Sequence, residues 1–201
     1  MDVDAPIAQH DRRPVEPALR GRRVELLPVT SQHYDFLLNL EWSPHRIAFN
    51  RFRGITPSPE AFMSAVWGAV GANFIVIDVA SRDALGLVVL HNIDSRNGNA
   101  HISILSTQLG DAGPGVIEGL ALLIDYAFRL WPLRKLYAEV AEPNLHNFRS
   151  AIDVVFKVEG HLEGHYFFDG EHWDQFILAL TREHWDTVVR DYRDLLGMAE
   201  R

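Results

Sequence analysis

Hydrophobic positions along the chain repeat in two periods, one of two residues and one near four, and the switches between them divide it into a succession of strands and helices. Residues 22–28 read as a first strand, after which Thr30 or Ser31 offers a cap for a helix carrying Tyr34, Leu37, Leu38 and Glu41. Pro57, Ser58, Pro59 and Glu60 mark a second helix start, and Phe62, Val66 and Val70, four residues apart, carry that helix to Gly71. Residues 74–80, 85–92 and 101–105 are β-rich. Their separators, Ser81-Arg82-Asp83 and Asp94-Ser95-Arg96-Asn97-Gly98, are short and made of turn residues, which predicts an antiparallel meander.

The longer period then takes over. Val116, Leu120, Leu123 and Ala127, with Ile117, Ile124 and Phe128 beside them, follow Pro114 at helical spacing and predict a helix over 114–130. A strand at 135–140, a short helix at 144–153 and strands at 156–161 and 173–180 come next, the last two joined through Phe168-Asp169-Gly170-Glu171. Trp185, Val188, Val189, Tyr192, Leu195 and Leu196 form an amphipathic stripe over 183–197, ended by Gly197. The order is β-α-α-β-β-β-α-β-α-β-β-α. Residues 1–18, with Pro6, Pro14 and Pro17 among charges and no periodicity, are expected to be a flexible arm before a domain spanning 19–197.

Composition narrows the class. With 201 residues and 47% hydrophobic side chains, the chain can bury one sizeable core. The net charge of −8 repels phosphate backbones, and no basic patch offsets it, so nucleic acid is not an expected partner. The absence of cysteine excludes disulfides, thiolate zinc sites and a Cys nucleophile. The first residues hold no apolar stretch of signal-peptide length, and residues 116–128 are interrupted by Glu118 and Asp125, so no membrane partner and a cytoplasmic location are expected.

The turn before residue 116 carries the first chemical signal. A helix start presents backbone N–H groups without intrahelical partners and a partial positive charge, which suits a diphosphate. A Gly-Pro-Gly helix start without any ligand explains Gly113, Pro114 and Gly115 as well.

Four stretches together give a family likeness: residues 22–28, residues 112–120 with Tyr126-Ala127-Phe128, residues 136–144, and Phe156-Lys157-Val158-Glu159-Gly160 with Asp169-Gly170 and Trp173-Asp174. In order and spacing the chain resembles the GNAT superfamily of acyltransferases, in particular its ribosomal-protein N-terminal acetyltransferase-like branch. The resemblance implies an α/β fold: a single GNAT-like domain with a mixed, mostly antiparallel central sheet flanked by helices, here with an extra C-terminal helix. It implies transfer of an acetyl or other short acyl group from acetyl-CoA or another acyl-CoA to a primary amine of a small molecule or protein N-terminus. Ala112, Gly113, Gly115, Val116 and Ile117 would then hold the diphosphate, Asn144 would contact the pantetheine arm or order a nearby water, Asn147 would be a further cofactor contact, and a main-chain N–H at Ile104 or Leu105 would hold the thioester oxygen. Gly115 matches the family's central glycine. Ala112 stands where the family has Gln or Arg, Ile117 where it has Gly or Ala, Asn147 at the usual Ser or Ala, Ala151 at a frequent tyrosine acid and Val155 at a glycine. These departures describe a degenerate coenzyme A loop, and they leave open a GNAT-fold binding module or an enzyme fed by a carrier-protein thioester.

Amine acylation needs an unprotonated amine and a polarised carbonyl. His101 and Ser103 alternate with Ile102 and Ile104 and share a strand face, so His101 is the first candidate base, with Glu142, just past the next strand, as the second. A partly solvated strand histidine, a surface carboxylate before Pro143 and an Asn144 helix cap are the plain structural alternatives. His161, His165 and His172 are not expected to bind metal, because the first two would stand about 13 Å apart on one strand. Tyr166, Phe167, Phe168 and Trp173 either line an acceptor pocket or pair across strands. Trp185, Val189, Tyr192 and Leu196 could cover the domain's own sheet or a second subunit of a homodimer.

Overall fold

The computed structural model describes residues 19–43, 49, 51–68, 70–108, 113–149 and 151–192. The expected arm at 1–18 and the end of the last helix, with Leu195, Leu196 and Gly197, lie outside them. Seven strands form one mixed sheet: β1 Val24–Pro28, β2 Val70–Asp78, β3 Ala84–Asp94, β4 Asn99–Ser106, β5 Lys135–Ala141, β6 Lys157–Phe168 and β7 Glu171–Thr181. Their spatial order is β1-β2-β3-β4-β5-β7-β6, and every neighbouring pair is antiparallel except β4 and β5. The helices are α1 Tyr34–Glu41, α2 Pro59–Trp67, α3 Pro114–Leu130 and α4 Arg182–Tyr192, with 3-10 helices at Ser31–His33 and Glu142–Phe148. The order of elements is the one expected from the periodicity.

Alternation along the central strands sends side chains to two cores. On one face Phe74, Val76, Val88, Leu90, Ala100, Ile102, Leu136 and Leu178 pack against Leu120, Leu123, Ile124 and Phe128 of α3. On the other, Ile75, Ile77, Leu87 and Val89 meet Leu37 and Leu40 of α1 and Phe62 and Val66 of α2. Each such large apolar side chain contributes about 2 kcal/mol of transfer free energy, so α3 is the best-anchored helix. Two glycines let it come close. A Cβ at Gly115 would stand 2.6 Å from Leu85 Cδ1, and one at Gly119 would stand 2.8 Å from Val76 Cγ2, so residues 115 and 119 form a seam on which the helix lies against the sheet.

Three details differ from the sequence reading, and one alternative it left open is decided in part. Helix α2 stops at Trp67 because Gly68 turns to an extended conformation, and Val70 belongs to β2, opposite His91. The four-residue spacing of Phe62, Val66 and Val70 is coincidental beyond Val66. Strands β6 and β7 are longer than residues 156–161 and 173–180, because this hairpin is largely exposed and its polar residues hide the alternation. The helix after β5 is a 3-10 helix beginning at Glu142, with Pro143 in its first turn; Asn144 lies inside it and is not its cap. Finally, Trp185 and Val188 are buried in the domain's own core, so that part of the C-terminal stripe covers this chain's sheet. Among the described residues no helix is long and apolar enough to cross a membrane.

Candidate active site

The sheet opens where its one parallel pair gives out. β4 and β5 pair only through Asn99–Lys135, Ala100–Leu136 and His101–Tyr137. Beyond His101, β4 continues along β3 to Ser106 while β5 continues along β7 to Ala141, and the two diverge. A cavity of ≈ 600 Å³ fills the gap. Its walls come from both faces of the sheet: Ile102, Ile104, Ala138, Val140, Ile117 and Leu120 on the α3 side, and Glu41, Phe52, Val89, His91, Ser103 and Glu139 on the α1–α2 side. It therefore passes through the sheet.

Strand alternation fixes which main-chain groups face this gap. Thr107 N donates to Leu85 O at 2.8 Å, so in the register of Gly86 with Ser106 and Leu87 with Leu105, the N–H groups of Leu105 and Ser103 turn to β3. That of Ile104 turns the other way, toward the opening.

At the α3 end, Gly113 precedes the helix with φ +75, a conformation suited to glycine, and as a glycine it has no side chain of its own to cap the helix start. A Cβ at Gly113 would stand 2.4 Å from Gln108 Oε1, so the Gln108 side chain lies against this turn. Gln108 N donates to Ser106 Oγ at 3.1 Å. Ile117 sits in the cavity wall next to this turn, whereas Gly115 and Val116 are buried and Gly115 faces Leu85 and Val24 of the sheet. Ala112 lies outside the described residues. Asn144, Asn147 and Phe148 close the β5 side, and Asn147 Oδ1 is a buried acceptor with no hydrogen-bond partner among the described residues.

The polar groups of the α1–α2 side form a linked set. His91 Nε2 and Ser103 Oγ are hydrogen-bonded at 2.9 Å, His91 and His101 have ring centroids 5.7 Å apart, and His101 Nδ1 lies 3.4 Å from Glu139 Oε1. Gln175 Nε2 donates to Glu139 Oε2 at 2.8 Å. Burial, and then the charges of His101 and Arg51, hold His91 below the ordinary imidazole range, against an opposing pull from Glu139. Glu41, buried at the end of α1, is pushed up by burial although Arg51 Nε lies 2.9 Å from its Oε1 and pulls it down. Tyr166 also lines the cavity and meets Phe49 edge-on; Trp173 stands opposite it in the hairpin, and its Nε1 donates to Phe168 O at 3.2 Å. Tyr166 thus both lines the cavity and pairs across strands with Trp173. Phe167 is exposed.

Of the residues singled out in the sequence, Ser103, Ile104, Leu105, Ile117, Asn144 and Asn147 meet around the one cavity. His101 stands behind His91, outside the lining, and Glu142 is exposed, accepting from Asp174 N at 3.2 Å. His161 Nε2 meets Asp174 Oδ2 at 2.6 Å. The sequence reading passed over His91, Glu139, Arg51 and Gln108.

Comparison with solved structures follows the same geometry. A GCN5-related N-acetyltransferase from Brucella melitensis superposes with TM-score 0.68 at 26% identity, over 89% of this chain and 84% of that one. The fold is that of the GCN5-related N-acetyltransferases. A spermidine N-acetyltransferase from Vibrio cholerae in complex with CoA and spermine shares this GNAT fold with TM-score 0.66 at 22% identity, over 81% of this chain and 98% of that one. No family model and no curated protein sequence matches the chain.

Proposed function

We propose that this protein is an acyl-CoA-dependent N-acyltransferase that moves an acetyl or other short acyl group to a primary amine of a small molecule or a protein N-terminus. The observation that carries the reading is the cavity through the β4–β5 gap, with the start of α3 at one end and polar groups of the α1–α2 side at the other. Two reactants can then approach one point from opposite faces of the sheet. The Brucella and Vibrio structures support it, the latter being described with CoA and spermine.

On this reading the start of α3 holds the diphosphate through main-chain N–H groups of Gly115 and Val116, helped by the positive end of the helix; Pro114 has no N–H to give, and Ile117 N already donates to Gly113 O at 3.2 Å, so Ile117 takes part through its place in the cavity wall. Asn144 and Asn147 take the pantetheine arm, which gives Asn147 Oδ1 an amide to accept from. The N–H of Ile104 holds the thioester oxygen, and alternation favours it over Leu105. The amine comes from the side of Glu41, His91, Ser103 and Glu139, where carboxylates attract a cationic acceptor. The four sequence stretches support placement in the ribosomal-protein N-terminal acetyltransferase-like branch, with Ile117 narrowing the coenzyme A loop. Cytoplasmic residence and a homodimer belong to the same proposal.

A melting scan with acetyl-CoA tests it first, since a ligand that binds only the native state stabilises it by mass action. The expected result is a rise in Tm that grows with ligand concentration. No rise with ligand at about millimolar concentration, together with no thiol release from acetyl-CoA in the presence of a panel of amines, overturns the reading.

A further inference from the structure

Acyl transfer to an amine needs a group that removes a proton from nitrogen as the new bond forms. We infer that His91, acting through the hydroxyl of Ser103, takes that proton; this rests on the acyltransferase reading above. Both residues line the cavity, whereas His101, the first choice from sequence, lies outside its lining. His91 Nε2 and Ser103 Oγ are 2.9 Å apart. Ser103 also immediately precedes Ile104, whose N–H faces the β4–β5 gap, so the hydroxyl sits one residue from the point where the carbonyl oxygen is held.

The groups that face His91 are His101 on β4, Glu139 on β5 and Arg51 in the segment after α1, with the Asn92 side chain beside it. Arg51 is itself ion-paired to Glu41, and Tyr166 enters the same cavity from β6. Burial, with Arg51 and any charge on His101 acting in the same sense, favours the neutral imidazole. A neutral ring with its proton on Nδ1 leaves the Nε2 lone pair to accept from the Ser103 hydroxyl.

The step balances without any redox partner. The amine nitrogen attacks the thioester carbonyl carbon, the C–N bond forms and the C–S bond breaks. The proton lost by nitrogen passes to the Ser103 oxygen as Ser103 gives its own to His91 Nε2. The leaving thiolate departs with the electron pair and takes a proton from solvent.

The test is the pH dependence of kcat/KM, read as thiol release from acetyl-CoA with the best amine of a panel holding spermidine, a primary alkylamine and a peptide with a free N-terminus, from about pH 5.5 to 9. The expected wild-type profile has an acid limb below the ordinary imidazole range. His91→Gln should remove that limb and cut kcat about 100-fold with little change in KM. Ser103→Ala, which keeps the imidazole, should retain the limb and lower kcat, and it serves alongside NMR titration of His91 in the wild type if His91→Gln does not fold. His101→Gln should keep the limb and move it, if at all, upward, because it removes a titratable neighbour whose positive charge opposes protonation of His91. Wild-type-like rate and limb in His91→Gln, or an ordinary imidazole titration at His91 with a full rate in Ser103→Ala, overturns the inference while leaving the acyltransferase reading intact. Loss of the limb in His101→Gln returns the base to the β4 histidine. A wild type that acylates no amine removes both.

Discussion

The C-terminal end of α3 and the segment just past it are tied by the main-chain bond from Trp131 N to Ala127 O at 3.1 Å and by one side chain from elsewhere in the fold. Arg182, the first residue of α4, donates through Nε to Leu133 O at 2.7 Å, through Nη2 to Trp131 O at 2.8 Å and through Nη1 to Phe128 O. Its guanidinium also stands 5.0 Å above the Phe128 ring. At the N-terminal end the same helix begins at Gly113, which has no side chain to cap it, and Pro114, beside a cavity that passes through the sheet. Four N–H groups and four carbonyls are left over at the ends of any helix. Here Ala127 O and Phe128 O at the carbonyl end take donors from within the protein, whereas at the N–H end Ile117 of the first turn borders the cavity. A helix can thus be held by one end and by its middle, which on the proposed reading leaves its other end to meet a ligand.

Substitutions at the two ends should separate these purposes. The largest effect is expected from Arg182→Ala, which leaves the carbonyls of Phe128 in α3 and of Trp131 and Leu133 just past it without their charged donor and should cost about 2–4 kcal/mol. Chemical denaturation should find that loss while titration calorimetry finds the same coenzyme A affinity; an equal loss of affinity would tie the two ends together. Next comes Gly119→Val in the middle of the helix. The added side chain runs into Val76, itself fully buried, so a loss of about 1–3 kcal/mol is expected, and a neutral result would mean that α3 can lift from the sheet.

Ile117→Gly should act in the opposite sense from Arg182→Ala, binding coenzyme A more tightly by several-fold while losing about 1 kcal/mol of helix stability. Calorimetry that returns an unchanged affinity would show that the Ile117 side chain is no obstacle at the open end. The smallest effect is on stability against pH. A histidine held below its ordinary value in the folded state contributes stability that is fully present above its unfolded pKa and is lost as pH falls from there through the folded value. Wild-type Tm should therefore drop more than that of His91→Gln as pH falls below about 6.5. Parallel curves for the two proteins would mean that His91 titrates as it does in the unfolded chain.

The legible parts of this molecule were those where local periodicity and packing agree. The stripe of Leu120, Leu123, Ile124 and Phe128 predicts α3 within its observed bounds, because the apolar residues that make the helix amphipathic are the ones the sheet buries. Val70 misleads because its spacing from Phe62 and Val66 fits a helix, while its backbone is claimed by the ladder to β3. The candidate site was half legible. Ser103 and Ile104 follow from alternation on one strand, and Asn144 and Ile117 from the family likeness. His91 was missed, although a signal existed: His91 and His101 flank the Asp94 to Gly98 turn at similar distance, so the hairpin register sets them side by side. Arg51 and Glu139 gave no such signal, since their meeting with His91 spans three elements.

By itself the sequence determined the order of strands and helices, the strand face shared by His101 and Ser103, and the bare glycine-proline start of α3, because each of these depends on neighbours within a few residues. Only the tertiary structure decided that β4 and β5 part after three paired residues, and that the gap is lined from both sides of the sheet. It also decided that Gly115 is demanded by Leu85 and Val24, and that His91 faces the cavity with His101 behind it. The physical reason is that a gap between strands and a clash across a helix–sheet interface are relations among residues far apart in the chain. Hydrophobic period records which side of an element is buried, and does not record what it is buried against.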